Sequence, residues 1–214
     1  MKYLKNSKYE AAEIARIYEI NCKEGKSVIY GGDEATEKEL KNLETAPRIL
    51  HLSTHGFYLE KKKKQQWAEE QPLLLSGLAL ANANLGLQGI TDEKGDDGLL
   101  YSIEVAGLNL QGTEMVSLSA CDTGKGVVDY SEGVYGLVRA FRTAGAQNVL
   151  MTLTPVGDKS SRAFMKKFYE TWLSSEGNIL PSDALHKTRL SFISHKNEDY
   201  RDPKIWSPYV LVGR

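Results

Sequence analysis

A histidine and a cysteine, each following a run of apolar residues, are the side chains in this sequence best suited to catalysis. His55 follows the run 49–54, and Cys121 follows the run 115–120. Both runs predict buried strands that end in polar, glycine-containing turns. Such turns would present His55 and Cys121 at the carboxyl edge of a parallel sheet, where open α/β folds place their sites.

A thiol and an imidazole in that position form a nucleophile and a proton carrier. The thiol reacts as thiolate or when a base removes its proton, and imidazole, with an ordinary pKa of about 6.5, suits that task. Negative charge then develops on the attacked carbonyl oxygen. The backbone N–H groups of Gly56 and Cys121 are the natural donors to this oxyanion, and losing one such donor costs about 3 kcal/mol in well-studied enzymes.

Each residue also has a structural interpretation. A lone cysteine on an apolar strand is usually an inert core residue, and a lone histidine near a strand end is often a hydrogen-bonded structural group. The strand-exit position of Cys121 and the pairing of two motifs at equivalent strand ends favour catalysis. Cys22, late in a predicted amphipathic helix, is expected to be structural, and His51 is expected to pack or to support the site.

The elements that must position these residues alternate along the chain. Compact apolar runs predict strands at 28–30, 49–53, 116–120, 149–153 and 209–212. Helical periodicity predicts helices around 11–18, 134–141, 164–172 and 184–192. Gly145 is expected to end the second helix, and Pro181 to begin the fourth. This alternation predicts an α/β fold with a mostly parallel sheet and helices on both faces.

Composition excludes several classes of function. The chain has 214 residues and a net charge of −1, so nothing indicates nucleic acid as a direct partner. No apolar run approaches the roughly 20 residues that span a bilayer, and the N-terminus lacks the apolar core of a signal peptide. Two distant cysteines indicate a reducing cytoplasm rather than a disulfide framework. No motif predicts a metal site or another cofactor.

Two stretches interrupt the alternation and predict loops. Residues 60–72 are highly charged and begin just after His55, and residues 86–98 are rich in glycine and aspartate. We treat residues 1–214 as one domain, with its start left open within residues 1–45.

The two motifs resemble those of caspase-like cysteine peptidases, and most closely those of the CHAT domain, a branch related to caspases and separase. The matching segments are 50–56, 118–126, 132–146 and 206–213. The separation of His55 and Cys121 exceeds the roughly 50 residues usual in caspases, which the charged segment 60–72 would explain. A departure is Thr154, where the family commonly carries tryptophan.

This resemblance implies a caspase-like fold and a cysteine endopeptidase that needs no cofactor. It makes His55 the general base and Cys121 the nucleophile, with the amides of Gly56 and Cys121 as the oxyanion site. It also implies a protein substrate and a role such as bacterial antiviral defence. Because the family carries an upstream repeat or sensor region or a regulatory partner, the resemblance further implies that this chain is one domain of a longer protein or one subunit of a complex.

Two acidic residues bear on specificity. Asp122 and Asp158 both follow predicted strands and are candidates to bind a basic substrate side chain. In the alternative, Asp122 braces its own turn and Asp158 caps the following helix. Two alternatives for the whole chain also stand: a catalytically inactive interaction module, and a thiol amidase or acyltransferase that uses the same dyad.

Overall fold

The computed structural model of the chain describes residues 1, 4–59, 72–93, 95–120, 130–174 and 179–213. These residues form a six-stranded sheet in the order β3-β2-β1-β4-β5-β6. The strands are β1 (Ile49–Tyr58), β2 (Ser76–Ala79), β3 (Leu99–Tyr101), β4 (Met115–Ala120), β5 (Asn148–Thr152) and β6 (Tyr209–Gly213).

Helices cover both faces of this sheet, as the alternating pattern predicts. They are α1 (Ser7–Asn21), α2 (Glu37–Lys41), α3 (Ala83–Gly86), α4 (Ser102–Val105), α5 (Tyr130–Thr143), α6 (Asp158–Leu173), α7 (Pro181–Ile193) and α8 (Pro203–Trp206). The predicted ends of two helices are confirmed: Gly145 has a φ of 113° just beyond α5, and Pro181 stands in the first turn of α7.

The sheet is mixed rather than mostly parallel. Strand β1 pairs in parallel with β4, and β4 with β5, whereas β2, β3 and β6 each pair antiparallel with a neighbour. The α/β class with its three-strand parallel centre is therefore confirmed. The antiparallel β2 and β3, which the sequence did not predict, extend the sheet on the side of β1 away from β4.

The predicted strand at residues 28–30 is wrong. Its residues lie outside every sheet ladder of the described chain, and Val28 is 75% exposed. Apolar β-branched composition alone does not make a strand, because an isolated segment lacks the neighbour that would satisfy its backbone hydrogen bonds. The predicted loop at 86–98 is confirmed in its described part, whereas residues 60–71 of the other loop lie outside the described residues.

The core divides at the sheet. On one side, called here the α6 face, helices α1, α6 and α7 pack against Met115, Leu150 and Tyr209. On the opposite α5 face, helices α4 and α5 pack against Val116, Leu118 and Val149. Successive strand residues point to opposite faces. Met115 of β4 therefore lies in the cluster on the α6 face, whereas Val116 and Leu118 lie in the cluster on the α5 face.

An ion pair ties α1 to α6. Arg162 donates two hydrogen bonds to the carboxylate of Glu13, each of 2.9 Å. The guanidinium of Arg162 therefore holds the pKa of Glu13 below its usual range. A carboxyl whose pKa is depressed by folding stabilises the fold above its unfolded pKa, and that contribution disappears as the pH falls through the folded value.

We expect Glu13→Gln to be less stable than the parent protein at pH 7, with a difference that shrinks as the pH drops below about 4. Urea denaturation across pH 3.5–7 would measure it. Arg162→Gln, which removes the partner of Glu13, should show the same loss of stability at pH 7 and the same smaller difference from the parent protein at low pH. A difference that stays constant over this range would contradict the role given to this pair.

Candidate functional site

The candidate site lies at the edge of the sheet formed by the carboxyl ends of the parallel pairing between β1 and β4. The two strands pair in parallel from Ile49 and Met115 to Thr54 and Ala120. The predicted turn at His55 is wrong, because β1 continues to Tyr58 through antiparallel pairing of His55–Tyr58 with β2. His55 therefore stands in a strand, one residue beyond the described pairing with β4 and at the first residue that pairs with β2.

His55 faces the α6 side of the sheet. His51, four residues earlier on β1, contacts Glu10 of α1 and Tyr169 of α6, which fixes the direction of its side chain. Alternation along an extended strand gives Ser53 and His55 the same direction. His55 is half-buried there and has interaction partners of its own.

The matching positions of β4 face the same way. Tyr169 donates a hydrogen bond of 2.8 Å to Ser117, and Ser119 lies 2.8 Å from Ser161 of α6. In the parallel register Ser119 lies beside Ser53. On the α6 face, β1 and β4 thus carry polar side chains near their carboxyl ends, on the side of the sheet where the candidate site lies.

Cys121 and Asp122 lie outside the described residues. The predicted nucleophile, its amide as an oxyanion donor and the predicted role of Asp122 therefore stay predictions. Cys22, the other cysteine, is free and ends α1, with its sulfur 3.4 Å from Nη1 of Arg48. This position agrees with the structural role expected for Cys22.

The backbone of β1 indicates where the amide of Gly56 points. The N–H of Leu59 donates to the carbonyl of Leu75, on the β2 side. Because the N–H groups of neighbouring strand residues point to opposite edges, the N–H of Gly56, three residues earlier, faces the β4 side. Gly56 is buried, so this donor lies in a region of reduced water access.

A buried hydrogen-bonded group lies beneath the site on the α6 face. Glu10, which is 1% exposed, lies 2.8 Å from Nε2 of His51, and the hydroxyl of Tyr169 lies between His51 and Ser117. Burial raises the pKa of Tyr169, although its bond to Ser117 acts in the opposite direction. His51 thus joins α1, α6 and the sheet, in agreement with the packing or supporting role expected for it.

Asp158 is the first residue of α6, one position after the N-cap. It lies at the same end of the molecule as the candidate site. Its carboxylate accepts hydrogen bonds of 2.9 and 2.8 Å from the backbone N–H and the side-chain amide of Asn6. A role in binding a basic substrate side chain stays a prediction, and it would require the substrate to share or replace these contacts.

A small apolar cluster adjoins His55 on the side away from β4, and the sequence analysis missed it. Ala79 lies directly beside His55 in the β1–β2 register, and Leu99 lies beside Ala79 on β3. These two residues and Ala83 of α3 are buried, and Phe57 and Tyr101 pack against them. The apolar run 73–81 was a signal for this strand, although nothing in its composition indicated a site.

Within the described residues, no group of three or more histidine, cysteine, aspartate or glutamate side chains is arranged to hold a metal ion. Among those same residues, no helix combines the length and apolar character needed to cross a membrane.

Comparison with known proteins gives the family. The mouse protein "Tetratricopeptide repeat protein 28" is 30% identical over 115 residues, which are 54% of this chain and 4% of that protein. The human protein of the same name is 32% identical over 83 residues, or 39% of this chain and 3% of the relative. The chain thus spans a small part of these relatives. The family model of the CHAT domain matches residues 1–214, and the chain therefore belongs to the CHAT domain family, a family of caspase-like peptidases.

Proposed function

We propose that this chain is a cysteine endopeptidase with Cys121 as nucleophile and His55 as proton carrier. The sulfur of Cys121 forms a bond with the carbonyl carbon of the substrate, and its proton passes to the imidazole of His55. His55 then gives that proton to the leaving nitrogen as the C–N bond breaks. Water, deprotonated by His55, hydrolyses the thioester and restores the thiol.

One observation carries this proposal: the strand register. Thr54 lies beside Ala120 in the parallel pairing of β1 and β4, and His55 and Cys121 are the residues that follow these two in the sequence. Adjacent strands lie about 4.8 Å apart, and a trans peptide bond keeps consecutive Cα atoms about 3.8 Å apart. The dyad would therefore start from neighbouring backbone positions.

The faces of the two strands add support. His55 points to the α6 side, as do Ser117 and Ser119 of β4. We propose that the side chain of Cys121, two residues after Ser119 in the sequence, faces that side as well. The N–H of Gly56 faces the β4 side, which suits an oxyanion donor between the two strands. The amide of Cys121 is proposed as the second donor.

The side chain before the cut bond is proposed to be lysine or arginine, bound by Asp122 and Asp158. A reduced thiol is required throughout, so the reaction suits a reducing compartment such as the cytoplasm. Because the similar stretches belong to proteins named for tetratricopeptide repeats, we also propose that a repeat region, in the same chain or in a partner, regulates cleavage. Antiviral defence in a bacterium remains our proposal for the biological setting.

Covalent labelling tests the proposal. We expect a peptide acyloxymethyl ketone ending in arginine to add one adduct to the protein, detected by intact mass and mapped to Cys121. The adduct should disappear in Cys121→Ala, fall strongly in His55→Asn, and persist in Cys22→Ala. Equal labelling of the parent protein and of His55→Asn would contradict a catalytic dyad. No labelling with the repeat region present would favour an interaction module.

A further inference from the structure

We propose that the apolar cluster beside His55, formed by Phe57, Ala79, Ala83, Leu99 and Tyr101, binds the side chain that follows the cut bond. This inference rests on the proposed function, and it adds a preference on the leaving-group side. The preferred residue there is apolar, in the size range from alanine to methionine.

The chemistry of the dyad sets the direction of the bound peptide. The acyl part of the substrate is attached to the sulfur of Cys121, whereas the leaving nitrogen must lie within reach of the imidazole that protonates it. The residue that carries this nitrogen therefore lies on the His55 side of the cut bond. Strand β1 separates β4 from β2 in the sheet, so the leaving side extends over β2 and β3.

The surface in that direction is apolar on the α6 face. The register lines up His55, Ala79 and Leu99 across three strands. Ala79, Ala83 and Leu99 are 5–6% exposed, so they form a closed apolar base with little contact area of its own, and most of the contact is left to the rings of Phe57 and Tyr101. A charged side chain placed here would lose hydration, whereas an apolar one gains by burial. Of the acidic residues near Tyr101, Glu37 and Glu104 already pair with Lys41.

Two aromatic rings form the accessible wall of this surface. Phe57, Gly77 and Tyr101 are aligned in the register, and the rings of Phe57 and Tyr101 meet edge to face with centroids 5.3 Å apart. Gly77 makes this possible, since a Cβ there would lie 2.6 Å from the Phe57 ring. Both rings are half-buried, which leaves part of each ring open to a bound side chain.

The surface continues into a cavity of about 390 Å³. Tyr101 belongs to both the apolar cluster and the cavity wall, which also includes the apolar residues Leu59, Leu74 and Ile103 and the acidic residues Glu37, Asp97 and Glu104. The cavity thus gives the rest of the leaving peptide a concave path beyond the first side chain. The wall is thus part apolar and part acidic, and concave surfaces that combine apolar walls with a few polar groups are the usual places where ligands bind.

Charge substitution at Phe57 provides the test. A proteome-derived peptide library is digested with the parent chain, Phe57→Lys and Phe57→Glu, and the new N-termini are mapped by mass spectrometry. We expect the parent chain to favour Ala, Val, Leu and Met at the new N-terminus. Phe57→Lys should shift this position toward Asp and Glu, and Phe57→Glu toward Lys and Arg, each by about fivefold.

Opposite shifts from one position separate a subsite from a general structural effect. Tyr101→Lys and Tyr101→Glu repeat the test should the Phe57 variants not fold. Leu190→Lys and Leu190→Glu are the matched controls, because Leu190 on α7 is 49% exposed and far along the chain from β2, and they should leave the preference unchanged.

The outcomes distinguish the two proposals. If no cut depends on Cys121, the peptidase assignment itself is wrong and the subsite is rejected with it. If Cys121-dependent cuts occur, but the residues after them are the same for the lysine and glutamate variants, the peptidase stands and the subsite is overturned.

Discussion

Replacing Cys121 by serine is expected to abolish peptide cleavage, with kcat/KM falling by about 10⁴-fold or more. A serine hydroxyl keeps the shape of the nucleophile but is far less reactive than a thiolate at neutral pH. Rates would be measured on a peptide chosen from the Cys121-dependent cuts of the library, at substrate concentrations well below KM. Cys22→Ser is the matched control, because Cys22 ends α1 beside Arg48 and should keep parental activity.

The companion change, His55→Asn, is expected to lower kcat by about 10²- to 10⁴-fold, the range that general acid–base catalysis contributes. KM should change little, because the imidazole acts on protons in the transition state rather than on bound substrate. His186→Asn is the control, since His186 is exposed on α7. Equal losses in His55→Asn and His186→Asn, or full activity in Cys121→Ser, would remove the dyad from the mechanism.

The sequence predicts the centre of the fold well because its strands are long and apolar. Strands β1, β4, β5 and β6 all fall on predicted runs, and helices α1, α5, α6 and α7 follow their periodic stripes, whereas the short helices α2, α3, α4 and α8 were not predicted. Strands β2 and β3 have only four and three residues. Segments this short show no period to recognise, so they become strands only through the neighbours that pair with them.

The turn expected at His55 illustrates the same limit. Ser53, Thr54 and Gly56 suggest a strand end by composition, since polar residues and glycine interrupt the apolar run. In the structure, β2 pairs with His55–Tyr58, just beyond the described pairing with β4, so the strand continues. The partner residues lie 18–24 positions further along the chain, so the local sequence around His55 does not indicate this pairing.

The candidate site is predictable in part for a chemical reason. By residue type alone His55 and Cys121 are as readily structural as catalytic, and it is the pairing of the two motifs, each after a predicted strand, together with the family resemblance that marks the candidate site. The apolar cluster beside His55 combines Phe57, Ala79 and Leu99 from three strands. Alanine and leucine carry no chemical signature, so only the register shows that they meet.

The buried pair of Glu10 and His51 is where we expect the largest effect on stability. Their side chains are 1% and 8% exposed and lie 2.8 Å apart. His51→Leu would leave the Glu10 carboxylate buried without this partner, and we expect the free energy of unfolding to fall by about 3 kcal/mol. Urea denaturation at pH 7 would measure the loss.

The double variant Glu10→Met with His51→Leu separates the pair from simple packing. When both polar groups are replaced by apolar ones of similar volume, no buried group is left without a partner, so most of the lost stability should return. Arg201→Met with Glu198→Leu is the control, because that pair is exposed and should change stability by less than about 0.5 kcal/mol. If the losses at Glu10 and His51 simply add, the two residues do not act as a pair, and α1 is then held by the apolar contacts of Ile14 and Ile17 and by the Glu13–Arg162 ion pair.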